Sequence, residues 1–294
     1  MSKSHLFCLC LLALLLCTVT AAAQSRIDCN VLNSKTLGNA VHYCVLLPPG
    51  YDSSSTRYPI LYFLHGLGEN EQTLFQTGGW TLVDDLRRDH RLTDFLIVTP
   101  EAFSSFYINS ANGKQRYSDF FLREFMPFVE SKYRIRGDRA SRAVTGISMG
   151  GYGALRFAFA YPEKFSAVSA QSAALITATQ QELDTTLRSG TPLGRILGSV
   201  FGDPINMAHW RENNPFLLAK KNKIAISRLA IYFNCGDDDQ YDFEKGAAVL
   251  HRQLEAEGIR HEYHLYPGDH TAPYFLRHLG EVIEFHSKHF EEKK

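Results

Sequence analysis

The sequence predicts an α/β fold, with a mostly parallel central sheet, an antiparallel hairpin at its N-terminal edge and helices on both faces. Three observations carry this. Pro59–Leu64, Phe95–Pro100 and Leu229–Asn234 are nearly continuous apolar runs, the pattern of strands buried on both faces. Segments with apolar residues at helical spacing alternate with those runs, the order that lays helices over a parallel sheet. Ala143–Val144 leads into Gly146-Ile147-Ser148-Met149-Gly150, and Tyr152, Leu155 and Phe159 follow at helical spacing, so a strand, a sharp turn and a helix succeed one another there.

Taken in order, Val31–Leu37 and Val41–Leu47 alternate around Gly38-Asn39 and read as the hairpin, which Pro48-Pro49-Gly50-Tyr51 ends. The Pro59–Leu64 strand empties into His65-Gly66-Leu67-Gly68-Glu69-Asn70, a glycine-bearing loop. Trp80–Arg88 fits a short helix, Phe95–Pro100 a strand, and residues 101–116 a loop. Asp119–Arg134 places Phe121, Leu122, Phe125, Phe128, Val129 and Tyr133 on one helical face. Phe165–Ser172 continues the sheet, and residues 173–227 form an insert, helical at Gln180–Arg188 and around Pro215–Lys221. After Leu229–Asn234 come a helix through Phe243, Ala247, Leu250 and Leu254 that Gly258 stops, a strand over Arg260–Tyr266, and a last helix opened by Pro273.

The chain has 294 residues, 45% of them hydrophobic, which suits one large domain or two small ones; a single domain over residues 24–294 is expected. With 31 basic and 31 acidic residues and no basic patch, nothing points to a nucleic-acid partner. Lys3, the apolar run Leu6–Val19 and Ala21-Ala22-Ala23 read as a signal peptide of residues 1–23, so the chain is expected to be secreted or periplasmic after cleavage near Ala23. The apolar run is short for a membrane span, and no stable membrane anchor is expected. Cys29, Cys44 and Cys235 follow the leader; a Cys29–Cys44 bridge is open to an oxidising compartment, and Cys235, at the end of an apolar run, reads as a small buried hydrophobe.

The chemistry lies at strand ends. A serine hydroxyl is a weak nucleophile that needs a base within hydrogen-bond reach and a group to orient that base. After a G-x-S-x-G turn, the acid and then the base follow in the chain. The Leu229 strand runs into Gly236-Asp237-Asp238-Asp239-Gln240, and one of these acids is expected to orient the base. The next strand ends in Gly268-Asp269-His270-Thr271; of twelve histidines, His270 alone combines this order with a loop on the same edge as Ser148. Backbone N–H groups of Met149 and of Leu67 are the expected oxyanion donors. His65, Trp80 and Tyr107 are candidate substrate contacts, and Phe103, Phe106 and Trp210 could line an acyl or aryl pocket. His261-Glu262-Tyr263-His264 falls one residue short of the helical zinc pattern and lies in a strand, so no metal is expected.

These residues resemble the esterase D and antigen 85 type of esterases, with which tributyrin and feruloyl esterases group. The resemblance runs from about Tyr43 to His289. Its marks are Pro48-Pro49-Gly50-Tyr51, His65-Gly66-Leu67-Gly68, Gly146-Ile147-Ser148-Met149-Gly150-Gly151-Tyr152-Gly153-Ala154, Cys235-Gly236-x-x-Asp239 and Asp269-His270. It implies an α/β-hydrolase fold and a triad of Ser148, Asp239 and His270, choosing Asp239 among the three acids, with oxyanion donors at Leu67 and Met149. It also implies a serine carboxylesterase that works without a cofactor on short-chain acyl, feruloyl or acetyl-carbohydrate esters through an acyl-enzyme. Mycolyl-transferring members carry other residues where His65 and Gly68 stand, which sets acyl transfer to a sugar hydroxyl second. S-Formylglutathione hydrolases share the triad but are cytosolic, against the leader read here. A non-catalytic binding protein on the same scaffold is the remaining alternative.

Overall fold

A computed structural model describes residues 25–291. The signal peptide read at residues 1–23 lies outside them. Eight strands form one sheet in the order β1-β2-β4-β3-β5-β6-β7-β8. They are β1 Arg26–Asn33, β2 Ala40–Leu47, β3 Ile60–Leu64, β4 Leu96–Pro100, β5 Arg142–Ile147, β6 Ala167–Gln171, β7 Ala230–Gly236 and β8 Glu262–Tyr266. β1 pairs β2, and β2 pairs β4, antiparallel; every other pairing is parallel. Four helices matter for the site: α1 Gly79–Arg88, α2 Met149–Ala160, α3 Phe243–Ala256 and α4 Ala272–Glu291.

The apolar runs lie where their patterning requires. Along β3, Tyr62 and Leu64 enter one core, while Leu61 and Phe63 enter the other. Successive side chains of a strand point to opposite faces, so a strand buried on both sides must be apolar at every position. The core on one face is completed by α1 and α4 through Val83, Leu86, Leu279 and Ile283. The other is completed by α2 and α3, by the 117–132 segment and by the insert, which contributes Leu183, Leu197, Phe201, Trp210 and Leu218. Among the described residues no helix is long and apolar enough to cross a membrane.

One expectation is corrected and another refined. The hairpin's first strand runs Arg26–Asn33 rather than over Val31–Leu37. The Glu124 carboxylate accepts hydrogen bonds from Ser34 Oγ, Lys35 N and Thr36 N, which holds residues 34–36 in the turn and out of the ladder. The helix expected over Asp119–Arg134 is present over residues 117–132 with a π turn inside it: Tyr117–Phe120 is α-helical, Phe121–Phe125 is the π turn, and Met126–Lys132 is α-helical again. Pro127 has no N–H to continue the ladder, and Met126 N–H reaches back to Phe121 O instead. Cys29 and Cys44 face each other in the β1–β2 register and form a disulfide.

Candidate active site

Ser148 lies between the end of β5 and the start of α2, at φ 55° and ψ −117°. A non-glycine residue is rarely found there, and the strain is held by close packing around it. A Cβ on Gly146 would lie 2.3 Å from the Gly150 carbonyl carbon, and one on Gly150 2.0 Å from Leu64 O. Both positions therefore exclude any side chain. Ser148 N–H donates to Gln171 O at 2.9 Å, and its carbonyl accepts from Ala174 N at 3.0 Å. These bonds leave Ser148 half-buried at the carboxyl edge of the sheet.

The loops after β7 and β8 meet at the same edge. Asp237 N donates to Tyr266 O and Asp238 N to Gly268 O, both at 2.9 Å, while Asp237 Oδ1 accepts from Gly268 N at 3.0 Å. Asp237 is thus a brace between the loops. The brace delivers Asp239 to His270, whose Nδ1–H donates to Asp239 Oδ2 at 2.7 Å. The Asp239 side chain is fully buried and that of His270 is 8% exposed. Asp239 Oδ1 accepts from Tyr241 N at 3.0 Å, so both carboxylate oxygens are occupied as acceptors. Gln240 clamps His270 twice, Oε1 accepting from His270 N at 3.0 Å and Nε2 donating to His270 O at 3.3 Å. The rings of Tyr241, Phe243 and Phe275 stand edge-on to the imidazole at 5.0 to 5.3 Å. With Nδ1 spent on Asp239, Nε2 is the imidazole nitrogen left for another partner.

Among the described residues, neither Leu67 N nor Met149 N donates to a protein acceptor. One residue before Leu67, Gly66 N is taken: it donates to Glu69 Oε2 at 2.7 Å. The same Glu69 oxygen lies 3.1 Å, and Ser148 Cβ 3.6 Å, from where a Gly66 Cβ would stand, so the carboxyl group and the serine flank Gly66. Burial raises the Glu69 pKa, against the opposing pull of its Gly66 hydrogen bond and of the nearby His270. Nothing in the sequence singles Glu69 out; one acid in a polar loop carries no spacing signal.

The candidate substrate contacts fare differently. His65 is 1% exposed; its Nδ1 donates to Gly66 O at 2.8 Å and its Nε2 accepts from Ala102 N at 2.9 Å. Burial lowers its pKa and keeps the ring neutral. No ring nitrogen is left for a substrate, so His65 ties the 65–69 loop to residue 102 instead. Tyr107 is fully buried at φ 58° and donates to His65 O at 2.9 Å, a second tie rather than a contact surface. Trp80 is half-buried on α1, edge-on to Phe75 and packed against the α1–α4 core. Phe106 and Trp210 do line a cleft, with Tyr152, Phe201 and Ala174, but its free space of about 10 Å³ holds a water at most. Cys235 is buried, and burial pushes its thiol up to about 12, so it is no nucleophile. No group of three or more candidate metal ligands occurs among the described residues.

The family model described as "Putative esterase" matches residues 34–285. An esterase of Mycobacterium tuberculosis is 26% identical over 244 residues, covering 77% of this chain and 52% of its own length. The chain thus spans about half of that relative. An acetyl esterase of Caldicellulosiruptor saccharolyticus is 28% identical over 237 residues, 81% of this chain and 86% of the other. Among solved structures, a ferulic acid esterase superposes with a TM-score of 0.77 at 26% identity, covering 91% of this chain and 99% of that one. The sheet, its antiparallel N-terminal edge and these relatives make the fold an α/β-hydrolase fold.

Proposed function

The chain belongs to this esterase family, and on that premise we propose that it is a serine hydrolase acting on carboxylic esters, with Ser148, His270 and Asp239 as its catalytic triad. The observation that supports this best is the 2.7 Å hydrogen bond from His270 Nδ1 to the buried Asp239 carboxylate, at the sheet edge where Ser148 sits on its strained turn. His270 Nε2 takes the Ser148 proton as Oγ attacks the ester carbonyl. Leu67 N–H and Met149 N–H receive the oxyanion, for which their lack of protein acceptors suits them. His270 returns the proton to the departing alcohol, leaving Ser148 acylated. Water, deprotonated by His270, then releases the acid. Asp239 holds the imidazole in the Nδ1–H tautomer and stabilises its charged form. Glu69 adds a second negative group on the serine side and pins Gly66 beside the oxyanion position.

The substrates proposed are short-chain acyl, acetyl-carbohydrate or feruloyl esters, in line with the names of the acetyl esterase and ferulic acid esterase that this chain resembles. We place the enzyme outside the cytosol. The Cys29–Cys44 disulfide, which reducing compartments disfavour, supports that reading. A fluorophosphonate probe is expected to label wild type and not Ser148→Ala, and the variant is expected to lose about 10⁶ in kcat on p-nitrophenyl acetate. Comparable activity in the variant would refute the assignment. Assays on acetylated and feruloylated xylan then rank the esters, and product analysis with added sugar separates hydrolysis from acyl transfer.

A further inference from the structure

Arg156 lies on α2, eight residues beyond Ser148 and so about 12 Å along the helix axis from it. Its residue is only 8% exposed. Two hydrogen bonds hold the guanidinium: Nε donates to Asn213 Oδ1 at 3.0 Å and Nη1 to Ser118 Oγ at 2.8 Å. Asn213 is itself fixed, Nδ2 donating to His209 O at 2.9 Å. Both partners are neutral. Among the described residues no carboxylate lies within ion-pair distance of Arg156, whereas Arg142 pairs with Glu130 and buried Arg87 lies 3.9 Å from Asp84. A buried charge without a counter-ion is costly, and proteins nearly always supply one.

Arg156 borders an open cavity of about 520 Å³ between α2, the 109–113 loop and the insert. Nη2 makes no hydrogen bond within the protein and is not sealed from solvent, and Arg156 lines that space. Exposed Lys221 stands on the rim with a second positive charge. His209 Nε2, also at the cavity, is buried without a hydrogen-bond partner, and burial lowers the ring's pKa and keeps it neutral. Glu212 is the one acid among the lining residues, and it is exposed at the edge. The space is many times larger than a bare oxyanion, and Ser110, Asn222 and the Tyr161 ring complete a polar wall with one aromatic face.

We propose that this cavity is a second binding site, separate from Ser148, for a hydroxylated small molecule bearing one oxyanion group, such as a sugar acid or a sugar phosphate. The oxyanion takes the place of the missing counter-ion, meeting Arg156 Nη2 and the Lys221 ammonium. The polyol body occupies the remaining polar space.

Calorimetric titration of the mature chain at constant ionic strength tests this with glucuronate, glucose 6-phosphate, glucose, sulfate and phosphate. One saturable site for glucuronate or glucose 6-phosphate is expected, and which of them binds more tightly identifies the oxyanion. Glucose is expected not to bind, and the inorganic ions to bind more weakly. Arg156→Gln is expected to weaken binding by about tenfold or more, the worth of a charged hydrogen bond. Lys221→Glu, an exposed change, is expected to weaken it comparably while leaving Tm and p-nitrophenyl acetate turnover unchanged, and it decides the matter if Arg156→Gln does not fold. Absence of saturable binding, binding of the inorganic ions alone, or equal affinity in wild type and Lys221→Glu would overturn the proposal.

Discussion

Replacing Asp239 by Asn tests the proposed proton relay at its most buried point. Asp239 presents two acceptors, Oδ2 to His270 Nδ1 at 2.7 Å and Oδ1 to Tyr241 N at 3.0 Å. An asparagine has one acceptor and one donor group at these positions. If its oxygen keeps the Tyr241 N–H, its amide nitrogen donates to His270 Nδ1 and drives the imidazole into the Nε2–H tautomer. That tautomer has no lone pair on Nε2 for the Ser148 proton. If the amide flips, the oxygen serves His270 but the Tyr241 N–H faces another donor, at a cost of about 1–3 kcal/mol. In either orientation the imidazolium formed during reaction loses its carboxylate, worth about 4 kcal/mol at an effective dielectric near 20. Together these raise the barrier by about 5–7 kcal/mol, or roughly 10⁴ to 10⁵ in kcat. The assay is kcat on p-nitrophenyl acetate for the purified variant, with circular dichroism to show that it is folded. Asp237→Asn is the control, because Asp237 braces the Gly268 turn from an exposed position and is expected to change kcat only severalfold. A folded Asp239→Asn enzyme within tenfold of wild type would refute the reasoning, as would a larger loss in Asp237→Asn.

The remaining predictions concern the loop, the disulfide and pH. Glu69→Gln retains an acceptor for Gly66 N–H and removes a charge whose burial opposes folding, so Tm at neutral pH should hold or rise. Glu69→Ala frees that N–H and is expected to lower kcat by up to about tenfold relative to Gln, for one lost neutral hydrogen bond; equal kcat in the two variants would remove Glu69 from the site. Replacing Cys29 and Cys44 with serine opens a loop of 15 residues and should cost about 3 kcal/mol in denaturant unfolding, with kcat unchanged because β1 is the far edge of the sheet. His286, fully buried against Ser169 Oγ at 2.7 Å, has its pKa pushed down to about 3. An unfolded histidine binds a proton below about pH 6.5, so this residue leaves stability intact above that pH and drains it, by about 1.4 kcal/mol per unit, as pH falls toward 3. His286→Gln should flatten the difference between unfolding free energies at pH 7 and pH 5, and an unchanged difference would show that His286 is not its source.

Much was legible because much is local. Apolar runs in β3, β4 and β7 declare strands covered on both faces, and the Gly146 and Gly150 positions declare a turn with no room for a Cβ. The order of Ser148, an acidic cluster and His270, each at a strand's carboxyl end, follows from the same local patterns and the handedness of parallel crossovers. What residue order alone left open was the fate of individual polar atoms, because that depends on neighbours distant in the chain. Asp237, Asp238 and Asp239 are equivalent as a run; pairing of the β7 and β8 loops makes Asp237 a brace and buries Asp239 against the imidazole. His65 has the look of a site residue, but Gly66 O and Ala102 N consume both its nitrogens. Glu69 and Arg156 carry no pattern at all. Their importance comes from what folding puts beside them, a serine in one case and an unpaired charge at an open cavity in the other. Periodicity reports which faces avoid water. Only the assembled structure decides which hydrogen-bonding groups are left without a partner, and chemistry happens at those.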